Sequence, residues 1–165
     1  GAVINNLHLA QEFKISNKTI ALYLSYLEDS LLVKKLYNFS RNLISSERKL
    51  KKYYLASPSL SRSLVDFVDQ GKIFENYLIS LTDWKYFYRD PLKHEVDFIS
   101  VDSFNDIVPI EAKFKKEIRK EELKSLIIFM KKYKLDKGSL FYCGVDKKTI
   151  KINNKEISFL PYFCI

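Results

Sequence analysis

Four polar residues fall where strand periodicity brings them together. The segment His94-Glu95-Val96-Asp97-Phe98 reads as the start of one strand, and Ile110-Glu111-Ala112-Lys113 as the end of the next. The turn between them, Asp102-Ser103-Phe104-Asn105-Asp106, has a length that hairpins use. It sets Val101 opposite Ile107, Asp97 opposite Glu111 and Glu95 opposite Lys113. Side chains alternate along a strand, so Glu95, Asp97, Glu111 and Lys113 would share one face. Directly opposed like charges destabilise a strand pair. A divalent cation between Asp97 and Glu111 converts that repulsion into ligation, and hard oxygen donors with few His or Cys nearby suit Mg²⁺ or Mn²⁺. Glu75, at the edge of a helical apolar stripe, is the candidate third metal-ligating carboxylate. Lys113 can orient an attacking water or meet charge developing on a phosphate. Together these residues form a kit for phosphodiester hydrolysis. The plain alternative is a weak Glu95–Lys113 ion pair, with Asp97 and Glu111 facing solvent at a sheet edge. A one-residue slip in register would flip every face.

The elements that must position these residues divide into two regions. In the first, Leu7–Phe13 reads as a short helix and Lys14-Ile15-Ser16 as a tight connection. Ser16 is the expected N-cap of a second helix. Ile20, Tyr23, Leu24 and Leu27 follow at i, i+3, i+4, i+7, which predicts one buried stripe. Asn17, Lys18, Ala21, Leu22, Ser25 and Tyr26 occupy the other face, with Asn17 and Lys18 as DNA-contacting candidates. A strand at Leu31-Leu32-Val33, a basic loop from Arg41 to Lys52 and a strand at Tyr53-Tyr54-Leu55 complete the layout of a small winged helix-turn-helix. A helical subdomain that only packs on its neighbour has the same pattern.

The second region begins after Ala56-Ser57-Pro58-Ser59, a stretch of turn composition. Helical spacing over Lys72–Leu81 is followed by strand-like runs at Trp84–Arg89, His94–Val101 and Ile107–Lys113. A long helix is predicted over Glu117–Tyr133, then strands at Ser139–Cys143 and Glu156–Tyr162. This order predicts an α/β (α+β) fold, a mixed sheet flanked by helices. The expected division is residues 1–56 and 57–165.

Composition narrows the classes further. The chain has 165 residues, 47% of them apolar and 15% aromatic, enough for a core. Its four glycines are too scattered for a glycine-rich phosphate loop. Cys143 and Cys164 lack CxxC spacing, which argues against structural zinc and a disulfide scaffold and makes the cytoplasm the default compartment. No apolar run reaches the roughly 18–20 residues of a membrane span, and no signal peptide is visible. The net charge is +8, from 28 Lys+Arg against 20 Asp+Glu, which fits a nucleic-acid partner or a merely basic surface. More than half of that excess lies in residues 1–56. Lys115, Lys116, Arg119 and Lys120, just beyond the carboxylate motif, are further candidates for phosphate contacts, or else a solvated helix face.

Glu75 in Phe74-Glu75-Asn76, Asp97 in Glu95-Val96-Asp97-Phe98, and Glu111-Ala112-Lys113 resemble, in order, the motif of the PD-(D/E)XK nuclease superfamily. The resemblance implies that Glu75, Asp97 and Glu111 hold Mg²⁺ (or Mn²⁺) and that Lys113 positions the nucleophilic water. A colinear series also resembles the C-terminal region of a family of archaeal and bacterial AAA-type ATPases, a winged helix joined to such a nuclease-like domain. It comprises Leu9-Ala10, Ile15-Ser16, Thr19-Ile20, Tyr23-Leu24, Leu27-Glu28, Tyr53-Tyr54, Tyr88-Arg89-Asp90 and the motif segments. That family usually carries an acidic residue near position 57, where this chain has Ala56-Ser57-Pro58. The resemblance implies a fragment whose ATP-binding region lies upstream, with DNA, duplex or branched, and that ATPase domain as partners. A homo-oligomer is compatible with it, and no membrane is expected. The function expected is a Mg²⁺-dependent DNA endonuclease module. The alternatives are a non-catalytic DNA- or protein-binding regulatory module and a protein–protein adaptor.

Overall fold

Short polar side chains start the helices. In the computed structural model, which describes residues 1–64, 67 and 69–165, Asn5 caps α1 (Asn6–Phe13) by accepting from the Leu7 N–H. Ser16 caps α2 (Asn17–Asp29) by accepting from the Thr19 N–H, as expected. Asn42 caps α3 (Leu43–Arg48), and Asp69 caps α5 (Gln70–Ser80). The remaining helices are α4 (Pro58–Leu64) and α6 (Lys124–Tyr133).

Among the described residues, nine strands form one mixed sheet in the order β1-β3-β2-β4-β5-β6-β7-β9-β8. They are β1 (Ala2–Ile4), β2 (Val33–Asn38), β3 (Lys51–Leu55), β4 (Tyr86–Arg89), β5 (Glu95–Val101), β6 (Ile107–Lys113), β7 (Lys137–Tyr142), β8 (Lys148–Ile152) and β9 (Lys155–Pro161). The pairs β2–β4, β6–β7 and β7–β9 are parallel; the others are antiparallel. With helices packed on it, this is the mixed α/β (α+β) class that the element order predicts.

Each face of the sheet carries its own core. On one, Leu126, Phe129 and Met130 of α6 pack on Val96, Ile99, Leu140 and Ile157. On the other, Phe74, Leu78 and Ile79 of α5 pack on Tyr54, Phe98, Ile110 and Phe141. The sheet runs unbroken past residue 56, because β2 pairs with β4. Side chains reinforce that seam. Asn38 clamps Arg89, donating to its carbonyl at 2.8 Å and accepting from its N–H at 3.1 Å. Lys34 donates to the carbonyls of Ile79 and Thr82, where α5 ends and its carbonyls lack helical partners.

Several expected boundaries move. Leu31 takes a left-handed backbone (φ 59°) after α2, so the strand expected at 31–33 begins at Val33 instead. The expected basic loop contains α3, because Asn42 can start a helix. The long helix expected from Glu117 begins later, with a 3₁₀ turn over Lys120–Leu123 that leads into α6. The stripe expected to be buried along α2 is largely open: Ile20 is buried, but Tyr23 and Leu27 are exposed. Ala21 and Ser25, expected on the outer face, instead line a cleft against β2 and β3, together with Glu28, which pairs with Lys35.

The two environments differ measurably. Leu78→Ala, at a fully buried position, should lower the unfolding free energy by about 2–5 kcal/mol in urea titrations. Tyr23→Ala should change it by less than about 0.5 kcal/mol, as an exposed site does.

Candidate active site

The β5–β6 ladder follows the register that the five-residue turn implies, from Val101 opposite Ile107 to Phe98 opposite Ile110. There the backbone pairing stops and a side chain replaces it. Asp97 Oδ2 accepts from the Ala112 N–H at 2.9 Å. The cause lies on the other edge of β5. Tyr86 pairs with Ile99 while Tyr88 pairs with Val96, so two steps along β4 match three along β5. The extra residue is a β-bulge at Asp97–Phe98, a feature that bends a strand and re-aims a side chain.

Glu111 is buried beside this point. Its Oε1 accepts from Lys113 Nζ at 2.6 Å, while Oε2 is buried with no hydrogen-bond partner among the described residues. Burial first, and the Asp97 charge second, hold the Glu111 carboxyl well above its ordinary range. Burial alone would lower the Lys113 ammonium, yet Glu111 and Asp97 raise it above an ordinary lysine.

A residue outside the motif dominates the other half of the site. Lys52, on β3, has a side chain only 4% exposed. Its Nζ lies 2.8 Å from Glu95 Oε1, 3.1 Å from Glu75 Oε2 and 3.6 Å from Asp97 Oδ1. Burial pushes this ammonium down, but the surrounding charges, Asp97 foremost, hold it well above the lysine range. Tyr54, two residues on and on the same face, donates its hydroxyl to Glu75 Oε2 at 2.8 Å. The signal in the sequence was a lysine at an inward position of the Lys51-Lys52-Tyr53-Tyr54 alternation.

Two expected placements therefore change. Glu95 does not face Lys113; it meets Lys52 and, at 3.6 Å, Arg89, because β5 parts from β6 at Asp97. Glu75 does not complete a three-carboxylate cluster, because Lys52 and Tyr54 take its oxygen. Among the described residues no three acidic, His or Cys side chains form a group able to hold a metal. Asp97, Glu111 and Lys113 do come together.

The phosphate-contact candidates lie on open surface. Asn17 and Lys18 start α2, and Lys115, Lys116, Arg119 and Lys120 follow β6, all of them exposed. Lys115 pairs with Glu122, whose other oxygen accepts from the Arg119 N–H at 3.0 Å. His94 belongs to the β4–β5 turn, with Nδ1 2.9 Å from Asp90 Oδ2. Phe87 and Tyr88 are core residues and cannot stack on bases. No helix is long and apolar enough to cross a membrane among the described residues.

Removing the Lys52 charge takes the nearby cation from the buried Asp97 and the half-buried Glu75, and breaking a buried ion pair typically costs about 3–5 kcal/mol. Lys52→Met should therefore lower the urea-unfolding free energy by roughly that amount. Lys151→Met, which breaks the exposed pair with Glu156, should change it by no more than about 1 kcal/mol.

Comparison with known proteins assigns the chain at family level. The family model described as a domain of unknown function (DUF8612) matches residues 1–71. A second, described as a domain of unknown function (DUF4143), matches residues 70–164. No curated protein and no solved structure matches. The second family is found at the C-terminal end of AAA-ATPase-like proteins. Its model spans α5, Asp97, Glu111, Lys113 and every strand from β4 to β9, more than half of the chain, and the protein is a member of the DUF4143 family.

Proposed function

We propose that this chain is the DNA-binding, nuclease-like C-terminal module of a cytoplasmic AAA-type ATPase, and that it hydrolyses DNA phosphodiesters with Mg²⁺ or Mn²⁺. One observation carries the reading: the buried Glu111 oxygen beside Asp97 that has no hydrogen-bond partner among the described residues, with Lys113 bonded to the same carboxylate. An orphaned buried carboxylate oxygen is costly, and an all-oxygen donor pair fits a hard divalent cation. Asp97 and Glu111 would hold that cation. The bound cation would supply Lewis-acid activation of water and charge neutralisation at the phosphate. Asp97 is held in place by the Ala112 N–H. Lys113 carries a fixed positive charge where a nucleophilic water or a phosphate oxygen would sit. The α1–turn–α2 hairpin followed by the β2–β3 ribbon supports a winged helix that docks duplex or branched DNA through Asn17 and Lys18. Lys115, Lys116, Arg119 and Lys120 supply backbone contacts beyond β6.

Lys52 favours a second reading. An ammonium between Glu75, Glu95 and Asp97 does electrostatically what a cation would do. On that reading the module binds DNA or protein for the ATPase without cutting.

A plasmid-nicking assay with Mg²⁺ separates the two. The nuclease reading expects nicking by the wild type and at least about 100-fold less by Asp97→Ala and Lys113→Ala. Equal nicking by all three proteins, or none by any, rejects it. Salt-sensitive DNA binding with no nicking would establish the second reading.

A further inference from the structure

A cleft of about 640 Å³ opens between the β4–β5 turn, the segment joining α3 to β3, and the last turns of α6. Lys49, Arg89, Lys93 and Lys132 line it, with Asp90 as its acidic residue. Among the described residues Asp90 forms no ion pair with them, its oxygens being bonded inside its own turn, although its charge still bears on Lys132. Oδ1 accepts from the His94 N–H at 2.9 Å, and Oδ2 lies 2.9 Å from His94 Nδ1. Among the described residues the Arg89 guanidinium pairs only with Glu95, at 3.6 Å, and that carboxylate is already held by Lys52. Lys49, Lys93 and Lys132 have no acidic partner within 4 Å among the described residues.

Two of these ammonium groups are also held in place by hydrogen bonds. Lys132 Nζ donates to the Tyr88 hydroxyl at 2.9 Å, and Lys49 Nζ to the Phe39 carbonyl at 3.4 Å. Burial lowers the Lys49 ammonium, and the nearby Lys132 charge lowers it further, so the cleft holds like charges that repel. Lys93 extends from the turn at a left-handed position (φ 66°) that the Asp90–His94 contacts hold. A set of cations in a concave site matches phosphate, which lysine binds as a point charge without needing a planar fork.

We propose that this cleft is a phosphate-binding site that takes successive phosphates of a nucleic-acid backbone. Arg89 joins it to the carboxylate site, since it lines the cleft and its guanidinium lies 3.6 Å from Glu95. A strand seated on Lys93 and Lys132 would thus be led along Arg89 toward Asp97 and Glu111. The inference extends the nucleic-acid reading above and rests on it only for the source of the phosphate.

The test is fluorescence anisotropy of a labelled DNA oligonucleotide with the full chain in EDTA, so that cleavage plays no part. Lys93→Gln/Lys132→Gln should bind at least about 10-fold more weakly. Its slope of log affinity against log salt should fall by about 2, one for each phosphate that the variant no longer neutralises. Lys148→Gln/Lys151→Gln, at the far edge strand β8, should bind as the wild type does. Both variants alter exposed side chains, and matching urea midpoints verify folding. Tripolyphosphate competition separates the sources. If the cleft variant loses tripolyphosphate but keeps DNA, a soluble phosphate is the ligand and the backbone assignment is overturned. Unchanged affinity for both ligands, or an equal loss in the β8 variant, overturns the site altogether. Failure of plasmid nicking leaves these outcomes untouched.

Discussion

A lysine ammonium buried in a protein interior is costly unless carboxylates surround it. Lys52 and its partners Glu75, Glu95 and Asp97 satisfy that condition jointly. The four residues come from β3, α5 and β5, so one charge balance ties the N-terminal ribbon to the helix and strand that flank the candidate chemistry. The Asn38 clamp on Arg89 and the Lys34 contacts at the end of α5 brace the same seam. The family boundary near residue 70 is therefore not a mechanical boundary: the sheet, the ion network and the helix cap all cross it.

The site divides electrostatically into two compartments around Asp97. On one side Lys52 compensates Glu75 and Glu95. On the other, Glu111 retains an oxygen without a partner among the described residues, and Lys113 compensates only part of the negative charge. Asp97 belongs to both, which makes its placement the sensitive variable. That placement comes from a single extra residue in β5, with the Ala112 N–H bonded to the carboxylate where the ladder ends. A bulge at a buried carboxylate costs pairing along the strand, and it leaves a polar group aimed at a chosen point.

Local chemistry made much of this readable in advance. The turn over 102–106 set the register of β5 and β6, and Ser16 marked the start of α2. The helix carrying Glu75 and the strands carrying Asp97 and Glu111 followed from periodicity. Other features depend on partners far away in the chain. The apolar positions of α2 have the right spacing for burial, but Tyr23 and Leu27 remain exposed beside α1. The edge strands β1 and β8 are short or strongly polar and gain their structure from the strands beside them. Glu95 was expected against Lys113 because an ideal ladder was assumed to continue, and the bulge ends that ladder early.

The sequence by itself determined which residues could do chemistry and how they are phased. Alternation along β5 and β6 and the length of their turn are local properties, so the chain alone could bring Asp97, Glu111 and Lys113 together. Only the tertiary structure decided where the charges balance. Lys52 lies 23 residues from Glu75 and 43 from Glu95, and pairing at that separation depends on which strands lie side by side. The same holds for the unpaired lysines near Asp90: their individual charges are visible in the chain, and their convergence is a product of packing.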